Sequence, residues 1–294
     1  MQRLRWVFLN DDSELRTGWR VVAMAVLLGA AIVALNLAWR AVGLPSQRDA
    51  TEWMFLAFAA LIVAAAAAVV LLLLRLIEKR GCDAVWLPFD RSAIRMTILG
   101  TLLGVVPICL LVGIAVVVGY GEVRWADPTM AMALHILLPS LLATFVLAAW
   151  EELVLRGYLL RQFALGLNPI AAIIITGVLF GLMHSGNPGA NPAGLLYTAI
   201  GGILMAWLVF RFGSLWLMIG YHFAWNATGA SIFGLEVSGI DEQAGLFVTK
   251  LSGADWQTGG SYGFEASLPA VICELFVLSV VLFTNRNYAL RSVP

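Results

Sequence analysis

Charge is what this chain has least of. Asp, Glu, Lys and Arg make up 12% of its 294 residues, about half the share in soluble domains. Hydrophobic residues make up 61% and mean hydropathy is +0.89, which excludes a soluble globule. Neither sign is in excess: 18 basic residues balance 18 acidic ones. The chain therefore has no basic surplus to neutralise phosphates and carries no footprint of a nucleic-acid partner. Cysteine is also scarce. Cys82, Cys109 and Cys273 are too few and too scattered for a disulfide framework or a zinc cage, and two of them lie in apolar runs, where a thiol is a small hydrophobe. No internal repeat, low-complexity tract or soluble domain interrupts residues 1–294, so the chain reads as a single membrane domain.

What is abundant is long apolar sequence. A helix needs about 20 mostly apolar residues to cross the hydrocarbon layer, because lipid offers its backbone no hydrogen-bond partners. Eight stretches meet or approach this, at roughly 19–39, 53–74, 96–118, 129–150, 169–184, 195–210, 214–232 and 268–284. The first is not a cleavable signal, since Asp11, Asp12 and Glu14 interrupt its approach and its apolar run exceeds the 7–15 residues of a signal core. Residues 1–18, with Trp6 to Leu9 among Arg and Asp, read as a short interfacial segment. With eight spans, 14 of the 18 Lys and Arg fall on one side and four, Arg40, Arg48, Arg124 and Lys250, on the other. The positive-inside rule then puts both termini in the cytoplasm. The expected architecture is all-α, a polytopic transmembrane helix bundle.

Charged groups near the bilayer centre cost about 2.5–3.5 kcal/mol on insertion scales, so they persist there only against a cavity or a partner. The fourth, fifth and seventh segments carry such groups. In Trp150-EELVLRGY, Glu152 and Arg156 stand four apart and can pair on one helix face. Glu151 is rotated by about 100° from Glu152 and is free to face something else. His184 closes Phe180-GLMH before the turn-rich string Ser185-GNPGANP. His222 and Asn226, in Tyr221-HFAWN, lie one above the other on a single face. At about 1.5 Å per residue, Glu151 and His184 stand roughly 20 and 24 Å above the turn near 164–168, and His222 and Asn226 roughly 12 and 18 Å above the turn at 211–214. A carboxylate, two imidazoles and an amide can therefore meet inside the bilayer, in a core spanning about 130–232.

Other polar residues fit this convergence less well. His135 lies about 24 Å along the helix from Glu151, near the outer interface. Glu274 is an intramembrane acid that either supports the site or faces its lumen. Gly177, Gly181, Gly201 and Gly202 offer small surfaces for close helix packing or for entry of a substrate strand. The connection 233–267, with its stretch WQTGGSYGF at 256–264, is expected as ordered turns, either a passive cap or a substrate-contacting lid.

The three patterns EExxxR at 151–156, FxxxH at 180–184 and HxxxN at 222–226, in this order and in separate spans, resemble the CPBP family, intramembrane proteases of the CAAX prenyl endopeptidase and bacteriocin-processing type. The resemblance covers about residues 130–232. It implies that Glu151 and His184 activate a water, that His222 and Asn226 hold the oxyanion, and that Glu152 and Arg156 support the first motif. The family has been called metalloprotease, yet similar enzymes work without a catalytic metal, so no cofactor is certain. A divalent metal, if used, would fall to Glu151, His184 and His222. The HExxH pairing of zinc proteases is absent.

The chemistry is consistent with that resemblance: hydrolysis needs a base for water and donors for the tetrahedral oxyanion. The resulting expectation is an endopeptidase of the bacterial inner membrane acting on a membrane-embedded or lipidated peptide. Two readings stand beside it. One is a non-catalytic immunity or scaffold protein using the same cavity; the other is a small proton-coupled transporter, against which the missing inverted repeat counts. Substrate identity and oligomeric state are not readable from the sequence.

Overall fold

A computed structural model describes residues 7–10, 13–45, 50–240, 245–284 and 292–294. It is an all-α polytopic bundle, 76% helical. Helix α1 spans Thr17–Ala41, α2 Glu52–Leu72 with π-helical turns to Glu78, and α3 Arg91–Val118. A strand, β1, follows at Gly121–Trp125. One continuous helical rod then runs from Met130 to Gly166, made of α4 (Leu138–Glu152), π-helical turns at Leu153–Leu159 and α5 (Leu160–Gly166). Next come α6 (Pro169–Met183), α7 (Pro192–Phe212) and α8 (Leu215–Ala227), the last extended by π-helical turns to Ile232. Strand β2 (Phe247–Leu251) and α9 (Leu268–Thr284) complete the order.

Six helices among the described residues are long and apolar enough to cross a membrane: 17–41, 52–78, 91–118, 130–166, 169–186 and 192–212. The other two expected spans are shorter, α8 with 13 residues and α9 with 17. The fourth helix runs past the apolar stretch ending at 150 and on to Gly166, as the periodicity through Leu153, Leu159, Leu160 and Phe163 implies. Of the expected interfacial segment, residues 1–6, 11 and 12 lie outside the described residues. Leu9 bridges Leu15 and the Trp19 indole donates to the Val7 carbonyl at 3.0 Å, so residues 7–10 and 13–15 lie against the start of α1.

Local chemistry explains the helix boundaries. Both α6 and α7 begin with Asn-Pro: Asn168 and Asn191 accept from the third amide beyond them, at 2.9 Å each, and Pro169 and Pro192 occupy the first helical position, where no amide hydrogen is missed. Gly213, at φ 63°, ends α7 in the left-handed conformation and turns the chain into α8 within three residues. The α3–α8 contact is backbone against backbone. A Cβ on Gly100 would stand 1.9 Å from the Leu217 carbonyl oxygen, one on Gly104 2.3 Å from that of Tyr221, and one on Gly220 2.3 Å from that of Thr97. Small residues permit this approach where lipid supplies no hydrophobic force between helices.

On the side of the bundle rich in Arg, Glu78 accepts from Arg20 at 3.0 Å, from Gln162 at 2.9 Å and from Arg161, with all four side chains buried. This network pins α1 and the end of α2 to α5, so two of the cations counted for orientation are engaged in packing. On the opposite side, β1 pairs antiparallel with β2, Gly121 opposite Leu251 through Trp125 opposite Phe247. The connection 233–267 is thereby tied down outside residues 241–244, which are not described. Tyr262 and Phe264 within it are fully buried against the helices.

Candidate functional site

The site begins where α4 loses its α-helical winding. Glu151 and Glu152 are its last two residues, and the following seven, Leu153–Leu159, are π-helical and wholly buried. Such widened turns concentrate at functional positions because they re-aim side chains that a regular helix would stack. Here Glu152 and Arg156 still meet: Arg156 Nη1 donates to Glu152 Oε1 at 2.9 Å, and both side chains are fully shielded from solvent. The guanidinium carbon sits 4.0 Å from the centre of the Phe180 ring, and Nη2 is 3.7 Å from Met205 Sδ. One face of the cation is thus covered by an aromatic ring and one of its edges by a soft sulfur acceptor.

The same Glu152 oxygen reaches the third motif. His222 Nδ1 donates to Glu152 Oε1 at 2.9 Å, while its Nε2 lies 4.0 Å from Glu151 Oε2. A proton held on Nδ1 fixes the tautomer, so a donor at Nε2 is the imidazolium, whose charge would then sit between two carboxylates. His184 is oriented by its own helix: Nδ1 donates to the Phe180 carbonyl at 2.8 Å, leaving Nε2 as the free nitrogen. Phe180 is the hub of this arrangement. Its ring stands edge-on to His184 at 4.8 Å and to His222 at 5.7 Å while presenting its face to Arg156.

Glu151, His184, His222 and Asn226 line one cavity of about 220 Å³, together with Thr144, Asn187 and Ser238. Glu151 Oε2 is buried without a hydrogen-bond partner, 4.0 Å from His222 Nε2. No direct hydrogen bond joins Glu151 to His184 among the described residues. Since about 10–15 Å³ on this measure accommodates one water, the cavity takes a chain of them between these groups. His135 is not brought in: it is exposed on the π-helical turn Ala133–Leu137, away from this cavity.

Glu274 proves to be part of a neighbouring hollow. Tyr221 Oη donates to Glu274 Oε1 at 2.8 Å, and both line a smaller cavity of about 50 Å³ that shares His222 and Asn226 with the larger one. A second acid there, Glu265, comes from the 233–267 connection. Its carboxylate accepts from Trp225 Nε1 at 2.8 Å and from Ser238 Oγ. Sequence reasoning passed over Glu265, Tyr221 and Trp225. Glu265 lies in a loop with no periodicity to place it, though Tyr221 and Trp225 flank His222 within the third motif and could have drawn notice. The four glycines divide. Gly177, Gly181 and Gly202 are packing sites, each with a neighbour at 3.0 Å or closer to an added Cβ, whereas a Cβ on Gly201 would meet only the two Glu274 oxygens, at 3.6 Å.

As for a metal, no group of three or more His, Cys, Asp or Glu among the described residues is arranged to hold one. His222 Nδ1 is engaged by Glu152 and His184 Nδ1 by a carbonyl, so a metal held by Glu151, His184 and His222 would meet the two rings at Nε2. No step below runs through a metal.

The family comparison falls on this region. Residues 133–228 match the family model described as type II CAAX prenyl endopeptidase Rce1-like, a segment that holds all three motifs. An uncharacterized protein of Bacillus subtilis (strain 168), YyaK, is 38% identical over 81 residues, which is 26% of this chain and 27% of that protein. The chain thus aligns with about a quarter of that relative's length.

Proposed function

We propose that this chain, a multi-pass integral membrane protein that belongs to the Rce1-like family through residues 133–228, is an endopeptidase that hydrolyses a peptide bond in a membrane-embedded or lipid-linked peptide. The observation that carries the reading is the single cavity lined by Glu151, His184, His222 and Asn226. Glu151, whose side chain lines that cavity and is 22% exposed, is the general base. It takes a proton from a water that His184 Nε2 helps to position, and the water oxygen attacks the scissile carbonyl carbon. The carbonyl electrons move onto oxygen, where His222 Nε2–H and the Asn226 amide donate to the oxyanion. Glu151 then returns its proton to the departing nitrogen as the C–N bond breaks.

Glu152 and Arg156 touch no substrate in this scheme. Glu152 holds the His222 ring and favours its charged form at the moment the oxyanion develops, while Arg156 anchors the Glu152 carboxylate. The test is cleavage of a membrane-embedded peptide by purified protein in detergent or liposomes. Glu151→Ala and His222→Ala should each abolish it; full activity in either variant removes the assignment. A non-catalytic binder would retain its host phenotype in Glu151→Gln, a change that catalysis does not tolerate.

A further inference from the structure

The smaller cavity contains an imbalance that the proposed hydrolysis does not use. Two carboxylates, Glu265 and Glu274, face it from different elements, and no Lys or Arg lines it. Glu274 is only 6% exposed, yet just one of its oxygens, Oε1, is engaged, by Tyr221. Its Oε2 takes no hydrogen bond among the described residues and keeps surface open to the cavity. Buried carboxylates without a counter-ion are costly. The walls between them are aromatic, formed by Phe180, Tyr197, Tyr221 and Trp225, and such rings attract a cation over their faces. The hollow also adjoins the larger cavity through His222 and Asn226, which line both.

Size narrows the occupant. About 50 Å³ accommodates roughly three to five water-sized groups. A lysine side chain brings four non-hydrogen atoms beyond Cβ and ends in a compact ammonium with three donors; an arginine brings six and a planar fork. Gly201 keeps the hollow open, because the space its missing Cβ would take lies 3.6 Å from both Glu274 oxygens.

We propose that this cavity is a specificity pocket that receives a lysine side chain of the substrate, its ammonium held by Glu274 and Glu265 between the aromatic walls while the adjacent backbone lies over His222 and Asn226. The inference rests on the endopeptidase reading above and names the substrate feature that reading leaves open.

The experiment uses the full-length protein in liposomes and a set of membrane-embedded peptides in which lysine, or norleucine in its place, is moved one position at a time, with cleavage read by mass spectrometry. Wild type should cleave the peptide with lysine at one fixed distance from the scissile bond about a hundredfold better in kcat/KM than its norleucine twin. Glu274→Gln should erase that preference while still cutting the norleucine peptide. Gly201→Ala, whose added methyl meets no backbone, should reduce the preference on the order of tenfold at unchanged thermal stability, and it decides the matter if Glu274→Gln does not fold. Cleavage indifferent to lysine at every position, or a preference that survives both variants, overturns the proposal and leaves the endopeptidase reading intact.

A parallel arm measures thermal stabilisation of Glu151→Ala by n-butylammonium chloride against sodium and potassium chloride at equal ionic strength. Glu274-dependent stabilisation by the amine alone supports the pocket. If no peptide is cleaved, the endopeptidase reading falls and this arm decides whether an alkylammonium site exists. Equal stabilisation by the inorganic ions overturns the proposal in favour of a simple cation site.

Discussion

Arg156 offers the sharpest test of how the site is held. Its side chain and that of Glu152 are both fully buried, 2.9 Å apart, and the pair lies on one helix, so it can persist even when the helices separate. What tertiary structure adds is the Phe180 ring beneath the guanidinium and the His222 ring on the carboxylate. Arg156→Met loses a desolvated cation–π contact of about 2 kcal/mol and leaves Glu152 charged with only an imidazole beside it. Breaking a buried pair in this way costs about 3–5 kcal/mol, which corresponds to a fall of about 6–20 °C in Tm for a chain of this size class.

The double variant Arg156→Met with Glu152→Gln removes the orphaned charge. Both donors land on a single oxygen, Oε1, while Oε2 has no partner, so a glutamine can keep its carbonyl toward His222 and turn its amide to the vacant side. Much of the lost stability should therefore return, to within about 2 kcal/mol of wild type, the cation–π contact that the double variant still lacks, while peptide cleavage stays depressed because no carboxylate holds Nδ1 of the imidazolium. Thermal unfolding in detergent followed by tryptophan fluorescence, with cleavage measured in parallel, checks both. A fall in Tm of less than about 2 °C for the single variant, the size expected of an exposed pair, would refute the reasoning, as would a double variant no more stable than the single one.

Three further outcomes follow from the geometry. Glu151→Gln should lower turnover by about 10²–10⁴ with Tm unchanged, since the Oε2 it neutralises makes no hydrogen bond in the protein; a comparable loss of Tm would mean that Glu151 is structural. Asn226→Ala should cost about 10²–10³ in kcat, the usual size for one oxyanion donor, measured by single-turnover cleavage; a change confined to KM would point to ground-state binding instead. Gly100→Ala, whose Cβ would stand 1.9 Å from the Leu217 carbonyl oxygen, should destabilise by about 1–3 kcal/mol or more, whereas Gly29→Ala, with open space around it, should be neutral or slightly stabilising. Equal Tm values for the two would contradict the close α3–α8 approach.

The sequence by itself determined the solvent, the order of the helices and the depth of the polar groups. Composition forces a lipid environment, Asn-Pro and Gly mark where helices start and stop, and a rise of about 1.5 Å per residue fixes how far along its helix each polar side chain stands. That sufficed to bring Glu151, His184, His222 and Asn226 to a common level. It could not supply rotation. Lipid tails are as apolar as leucine, so a helix such as α2 or α6 shows the same side chains to its neighbours and to the bilayer, and no periodic stripe tells which face turns inward. Only packing decided that Gly100, Gly104 and Gly220 would seat α3 against α8. Packing also decided that Glu152 would share one oxygen between Arg156 and His222, and that Gly201 would open toward Glu274 while Gly202 closed on Gly177. The Glu265 contact to Trp225 and the β1–β2 pairing were equally unreadable, because each joins residues about 40 or more than 100 positions apart through a connection with no repeating pattern. Such contacts are chosen by shape and hydrogen-bond satisfaction across the whole bundle, which no local stretch of sequence encodes.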